Sequence, residues 1–519
     1  MTQPYENFQY NSCVSRGICS LSPKNSALQT VIVLYLRIFA KYSYDIEVDK
    51  EIKTFILNTI SVTLFNVQFN EESYLFAIEN FKKILPGIIA SHPVLEYQTD
   101  LKTEKEKFNE LLKETDTILK AIKYGEKIYR RSQKEIEPNI QNLFNIMLIL
   151  IKSLSIKLLE LETYDKEYDL AYKKILHLLS YLNIENNTEE TLTSEIVKGA
   201  NVFIELSRYL FSVMEERFGK QTLGEVSYST IKNKAVLVTG TNIRELENVL
   251  EALKSENIDV YTHDDMMLAY TFSKFREYSH LKGQFGYGLE NCLLDFSTFP
   301  GPIVLTKNSL HNIENFYRGR LFTTDYTTSP KGIIKIENND FQKVIESSYD
   351  SKGFKRGKVC EKIEIGYDFE NFIKTFNEKI ETKKYDRIFI LAQDDFSVKQ
   401  KAYFEKLIKL SSKNTLIISF SYKSDLDNFI YINMCFDYFS LIRIFDYIYK
   451  SNLPITIFIP KCHRDSISQM IYFASLEKVK LFLGNCTSII LNPALLKTLE
   501  EFFNISLIST VKKDLEQII

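Results

Sequence analysis

Residues 234–263 read KAVLVTGTNIRELENVLEALKSENIDVYTH, and their pattern changes partway. AVLVTG (235–240) is a short β-rich run ending in glycine. NIRELENVLEALKSEN then carries apolar residues at three- and four-residue intervals, and IDVYTH (258–263) is a second β-rich run. Strand, helix and strand in that order form a unit whose two strands lie parallel, with the helix packed across them. The alternation continues in GPIVLT (301–306) and restarts with RIFILA (387–392), NTLIISFS, PITIFIP and VKLFLG, with helical segments between. Two doubly wound parallel-sheet domains are expected, over 231–370 and 371–519.

Before this point the period is helical. SALQTVIVLYLRIFAKY, EIKTFILNTISVTLF and IQNLFNIMLILIKSLSIKLLELE have amphipathic or apolar helix spacing, and Pro86 and Pro138 read as breaks between segments. A helical domain, preceded by a short cysteine segment, is expected over 1–230. A chain of 519 residues is long enough for several cores. Its 45% apolar and 25% charged content is that of a globular protein. Net charge is −2, which gives no electrostatic basis for a nucleic-acid partner. The start lacks a basic-then-apolar signal pattern, and VIVLYL and IMLILI fall short of the roughly 20 residues of a membrane span. A cytoplasmic protein without a membrane partner is expected.

Seven cysteines are scattered along the chain, an odd number that does not suit a disulfide framework. Cys13 and Cys19, in NSCVSRGICSLSP, have five residues between them. That spacing alone fits two inert thiols as well as half of a metal site.

In doubly wound sheets ligands bind beyond the carboxyl ends of the strands. The residues there are Thr241 and Asn242, His263 to Asp265, Asn308 and Ser309, Asp394 and Asp395, Ser421, and Cys462 and His463. The G-x-x-G-x-G of Gly283, Gly286 and Gly288 neither follows a strand directly nor opens a helix. It reads as a turn and not as a dinucleotide fingerprint.

VLVTGTN, NIDVYTHDDMM, HLKGQFGYGLEN, FPGPIVLTKNS and YRGRLFTTDYTTSPKGIIKI resemble the hybrid cluster proteins. These are the prismane or hydroxylamine reductase group, related to the nickel–iron carbon monoxide dehydrogenases. RIFILAQDD, TLIISFSYK, MCFDYFSLI and PITIFIPKCHRDS carry the likeness onward, and NSCVSRGICSLSP resembles the end of the family's N-terminal cysteine motif. The resemblance implies a cubane-type cluster near the N-terminus and a hybrid iron–sulfur–oxygen cluster where three domains meet. The family's hybrid-cluster ligands are a His, two Glu and four Cys. Carried over by motif, the His falls on Thr241 and the first Glu on Asp265. The four Cys fall on Ser309, Asp394, Ser421 and Cys435, and the second Glu on His463.

Only Cys435 is unchanged, and Asp265 is a shortened carboxylate. Iron–sulfur clusters are held by soft thiolate sulfur, so the hybrid cluster is not expected here. The first C-x-x-C of the family's N-terminal motif is also missing, because MTQPYENFQY has no cysteine. The related dehydrogenases place a cluster across a dimer with two cysteines from each subunit. Cys13 and Cys19 could therefore serve one iron–sulfur cluster shared within a homodimer. Asp265, Asp394, Cys435 and His463 make up a candidate replacement metal site, with His263 as a partner of Asp265 or simply a satisfied histidine. The functional expectation is a homologue without hydroxylamine reductase activity, a binding or regulatory protein and possible partner to an active relative. The alternative is an oxidoreductase of this family with a reduced or replaced metal centre.

Overall fold

A computed structural model describes residues 23–61, 71–91, 99–182, 187–286, 292–307, 317, 319–324, 333–392, 398–433, 438–460, 466–484 and 493–518. Among these, eight helices come first, from α1 (Pro23–Ser43) to α8 (Glu189–Phe218). The centre of this domain is α6 (Pro138–Glu162), in which every residue from Leu143 to Leu161 is buried. It is 25 residues long and apolar enough to cross a membrane, although the run IMLILI by itself is short. Its most apolar 18-residue window is 94% buried inside the protein, as a core helix requires when it is apolar on all sides. Pro138 stands in its first turn, where the missing N–H costs nothing.

Pro86 departs from its reading as a break, because it lies inside α3 (Glu71–Ser91). The proline is on the exposed face, where water can satisfy the carbonyl it releases. Phe81, Leu85, Ile88 and Ile89 are buried on either side and hold both halves of the helix to the core.

Two six-stranded sheets follow, and every neighbouring pair of strands in them is parallel. The first runs β4-β3-β2-β5-β6-β7, with β2 at Lys234–Thr239, β3 at Ile258–His263, β4 at Leu281–Gln284, β5 at Ile303–Leu305, β6 at Leu321–Thr323 and β7 at Ile333–Lys335. The second runs β11-β10-β9-β12-β13-β14, with β9 at Arg387–Leu391, β10 at Thr415–Ser419, β11 at Phe429–Tyr431, β12 at Ile455–Ile459, β13 at Val479–Leu483 and β14 at Ile505–Leu507. The central strands are continuous apolar runs because helices cover both faces. Gly283 belongs to β4 and not to a turn, while Gly286 does turn the chain at φ +81°.

The segments entering and leaving the first sheet pair with each other. β1 (Gly224–Ser227) and β8 (Lys362–Ile365) form an antiparallel stem, with Gly224 opposite Ile365 and Ser227 opposite Lys362. Thr230 and Lys358 extend it by exchanging both backbone hydrogen bonds, at 2.8 and 2.9 Å. The middle domain is thus an insertion on a two-stranded stem. The C-terminal domain docks on α8 through α14 (Tyr438–Tyr449), the fourteenth helix of the described chain. Arg443 pairs with Glu215 at 2.9 Å and lies 4.1 Å from the Phe369 ring, and Arg208 grips Asp446 with two bonds of 2.7 and 2.8 Å. Phe211 stacks on Phe439 at 5.4 Å.

Candidate functional site

Both sheets place their first strand third, so the order of winding reverses between β2 and β5 and again between β9 and β12. In doubly wound sheets a ligand crevice generally lies beyond the carboxyl ends of the strands at such a reversal. Thr241 follows β2 and Ser309 follows β5, while Asp394 follows β9 and His463 follows β12. Of the seven positions carried over from the family motif, Thr241 is the one described at a switch point. Ser309, Asp394, Cys435 and His463 lie outside the described residues, as do Cys13, Cys19, Cys462 and Gly288.

At the end of β2 the chain turns through Gly240 (φ +124°) and half-buried Thr241 into α9 (Ile243–Ala252). The Asn242 side-chain oxygen accepts from the backbone N–H groups of Arg244 and Glu245, at 3.1 and 3.2 Å. The start of this helix is closed by its own cap, and so is not an open anion cradle. Glu245, in the first turn, is 4% exposed and reaches across the switch point. It accepts from the Lys307 backbone N–H at 2.8 Å and from the Thr324 hydroxyl at 2.9 Å, tying down the segments beyond β5 and β6.

The end of β3 carries a buried polar network. His263 is fully buried, with Nδ1 2.8 Å from the Thr239 hydroxyl and Nε2 3.2 Å from Asp295 Oδ2. A carboxylate accepts, so in the neutral ring Nε2 carries the proton and Nδ1 takes the hydroxyl hydrogen of Thr239. Both ring nitrogens are used, and His263 is a satisfied core histidine and not a support for Asp265. Beside it, Thr262 donates to Gln284 Oε1 at 2.5 Å, and Gln284 Nε2 donates to the Asp264 carbonyl at 3.0 Å. That last bond steadies Asp264 at φ +60°, a left-handed conformation unusual for any residue but glycine. The turn sets half-buried Asp265 at the head of the 3-10 segment Asp264–Thr271. Gly286 closes the network, since a Cβ there would lie 2.3 Å from the Asp295 carboxyl. In the second sheet, half-buried Ser421 follows β10 and donates its backbone N–H to Ser419 Oγ at 3.4 Å.

The helical domain adds charge to the same junction. Lys157 and Glu160 of α6 are both buried, 3.5 Å apart, with the Lys157 ammonium 4.9 Å from the Phe439 ring of α14. Thr163, just past α6, accepts from Asn242 Nδ2 at 3.4 Å. Burial raises the Glu162 carboxyl above its ordinary range, against the Thr54 hydroxyl bond and the Lys307 charge that lower it. Among the described residues no group of three or more His, Cys, Asp or Glu side chains is placed to hold a metal ion. Glu245, Asp295, Lys157 and Glu160 carry no motif in the sequence. Only Glu245 had a signal, an acidic residue in the first turn of a helix that follows a strand.

The model of the Prismane/CO dehydrogenase family matches residues 9–421. A hydroxylamine reductase of Thermodesulfovibrio yellowstonii is 23% identical, over 98% of this chain and 98% of its own. One from Kosmotoga olearia is 25% identical, over 99% of this chain and 98% of its own. Among solved structures, carbon monoxide dehydrogenase IV from Carboxydothermus hydrogenoformans matches with a TM-score of 0.46 at 12% identity, covering 99% of this chain and 89% of that one.

Proposed function

The chain belongs to the Prismane/CO dehydrogenase family, and from that premise we propose that it is a member whose hybrid-cluster site has been dismantled, acting as a binding or regulatory protein and not as a hydroxylamine reductase. The donor set at the family's ligand positions carries this reading: Thr241, Asp265, Ser309, Asp394, Ser421, Cys435 and His463 offer one thiol where the family has four. At the described positions the donors are a hydroxyl, a carboxylate and another hydroxyl, none of which suits soft iron–sulfur chemistry. A serine hydroxyl gives up its proton far less readily than a thiol with its ordinary pKa of about 8.5. The only histidine of the described strand ends, His263, is committed to Thr239 and Asp295. These residues do not fit the hybrid cluster.

Iron and sulfide analysis of anaerobically purified protein, together with a hydroxylamine turnover assay, tests the proposal. The expected result is no turnover and no more iron than one N-terminal centre would hold. Iron and sulfide well above about four atoms per chain, with turnover, overturns it.

A second reading rests on the ionisable character of the replacements. Asp265, Asp394, Cys435 and His463 are ordinary ligands for Zn²⁺ or Fe²⁺. If either ion raises the melting temperature and His463→Ala abolishes the rise, a replaced metal centre takes precedence. For the N-terminal pair the proposal is one cluster shared by two chains through Cys13 and Cys19. The protein would then be a brown homodimer that Cys13→Ser bleaches and dissociates together. Colourless protein after anaerobic reconstitution would leave the two as ordinary thiols.

A further inference from the structure

A cavity of about 530 Å³ lies away from the strand-end junction, between the β1–β8 stem and the edge of the first sheet. Its size is that of a small-molecule site. The stem supplies Leu223, Glu225, Lys362 and Glu364, and the middle domain supplies Phe275, Arg276, Tyr278, Leu281 and Lys282. Most of the polar groups here have partners. Lys362 pairs with Glu225 at 2.7 Å, Lys282 approaches Asp259 at 3.7 Å, and the Tyr278 hydroxyl donates to Glu251 at 2.6 Å.

Arg276 differs. One of its nitrogens, Nη2, donates to the Thr222 hydroxyl at 2.9 Å and to the Leu223 carbonyl, both neutral acceptors. Among the described residues no carboxylate pairs with it, and Nε and Nη1 make no hydrogen bond. The exposed guanidinium is tied to the stem through Nη2, and although Glu364 also lines the cavity, no described carboxylate lies within ion-pair distance of it, so part of its donor fork is unused. A fork of that shape matches a planar carboxylate with two parallel bonds. Phe275, Tyr278, Leu281 and exposed Leu223 give an apolar wall beside it.

We propose that this stem cavity binds a small organic carboxylate with an apolar body, its carboxylate on Arg276 and its body against Tyr278 and Leu281. The occupant would touch the stem and the inserted domain at once.

Calorimetric titration and thermal shift of the full chain at constant ionic strength test this, with benzoate, acetate and inorganic phosphate as probes. Benzoate should bind saturably, and acetate, which lacks the apolar body, should bind about tenfold more weakly. Arg276→Lys keeps the charge but not the fork, and should weaken benzoate by about tenfold. Because Arg276 also bonds the stem, Leu281→Trp serves as the second variant: it fills the wall where the apolar body would sit, at a residue with no hydrogen bond to the guanidinium among the described residues, and should abolish benzoate binding with the melting temperature of the free protein little changed. The proposal is overturned if no probe saturates, if benzoate binds both variants as it binds the parent, or if phosphate binds as tightly as benzoate.

Discussion

The two sheets share one strand order but differ in the side chains buried among their described strands. In the first, Thr239, Thr262, His263 and Gln284 are buried at the strand ends and joined by directional hydrogen bonds to Asp295 and to the turn before Asp265. In the second, Phe458 stacks on Phe482 at 5.3 Å and meets Phe389 edge-on at 5.5 Å. Apolar packing is nearly direction-free and fixes the sheet, whereas a buried hydrogen-bond network also fixes where the next turn must go. The middle domain thus has a positioned polar strand end, and the C-terminal domain an aromatic ladder across neighbouring strands.

The largest expected effect tests the aromatic side. Phe458→Ala removes a fully buried ring from between two others and should cost about 3–5 kcal/mol, read as a lower urea midpoint at unchanged slope. A cost under about 1 kcal/mol would mean that the aromatic ladder does not hold the second sheet.

Next comes the polar side. His263→Leu keeps much of the volume but strands the Asp295 carboxyl and the Thr239 hydroxyl, and should cost about 2–3 kcal/mol. Pairing it with Asp295→Leu should recover part of that loss, since both buried partners are then apolar. A double variant that costs the sum of the two single variants would show that the two residues are not coupled.

Gly286→Ala probes the same network from its outer side. A methyl group would meet the Asp295 carboxyl in a left-handed backbone, and about 1–2 kcal/mol should be lost. If the loss persists undiminished in Asp295→Ala, backbone strain alone accounts for it.

The smallest effect concerns the seam between the helical and middle domains, where Lys307 faces Glu162. Burial raises the Glu162 carboxyl in the folded state, so that state holds its proton to higher pH than the unfolded chain does. Stability from this group is present below the unfolded pKa and falls as pH rises through the folded value. Glu162→Gln should therefore raise the melting temperature slightly at pH 7 and have no such effect at pH 4. A variant less stable at pH 7 would show that the charged form is needed by Lys307.

Much of the fold could be read from the sequence because its elements are long or strongly periodic. The strand IDVYTH is observed over Ile258–His263 and RIFILA over Arg387–Leu391. The stem strands β1 and β8, and the three-residue strands β6, β7, β11 and β14, were not anticipated. They are too short for an alternation to register, and their pairing joins residues far apart in the chain. At the candidate site, the strand-end rule picked out Thr241, Asn242, His263 and Asp265, but could not say that His263 would spend both nitrogens inside the core. Asp295 and Glu245 were invisible for the same reason: each is an ordinary acid whose role comes from what lies opposite it.

The sequence by itself determined the helical-then-α/β order, the family and the chemical identity of the groups at the positions carried over from the family motif. Those follow from hydrophobic period and from side-chain type, which are local properties. Only the tertiary structure decided that the middle domain hangs on a paired stem, that His263 is locked between Thr239 and Asp295, and that Arg276 faces the stem cavity with no carboxylate partner among the described residues. Each of these depends on contacts between residues that are dozens of positions apart, and such contacts are set when whole elements bury their apolar faces together, with no trace in the local pattern.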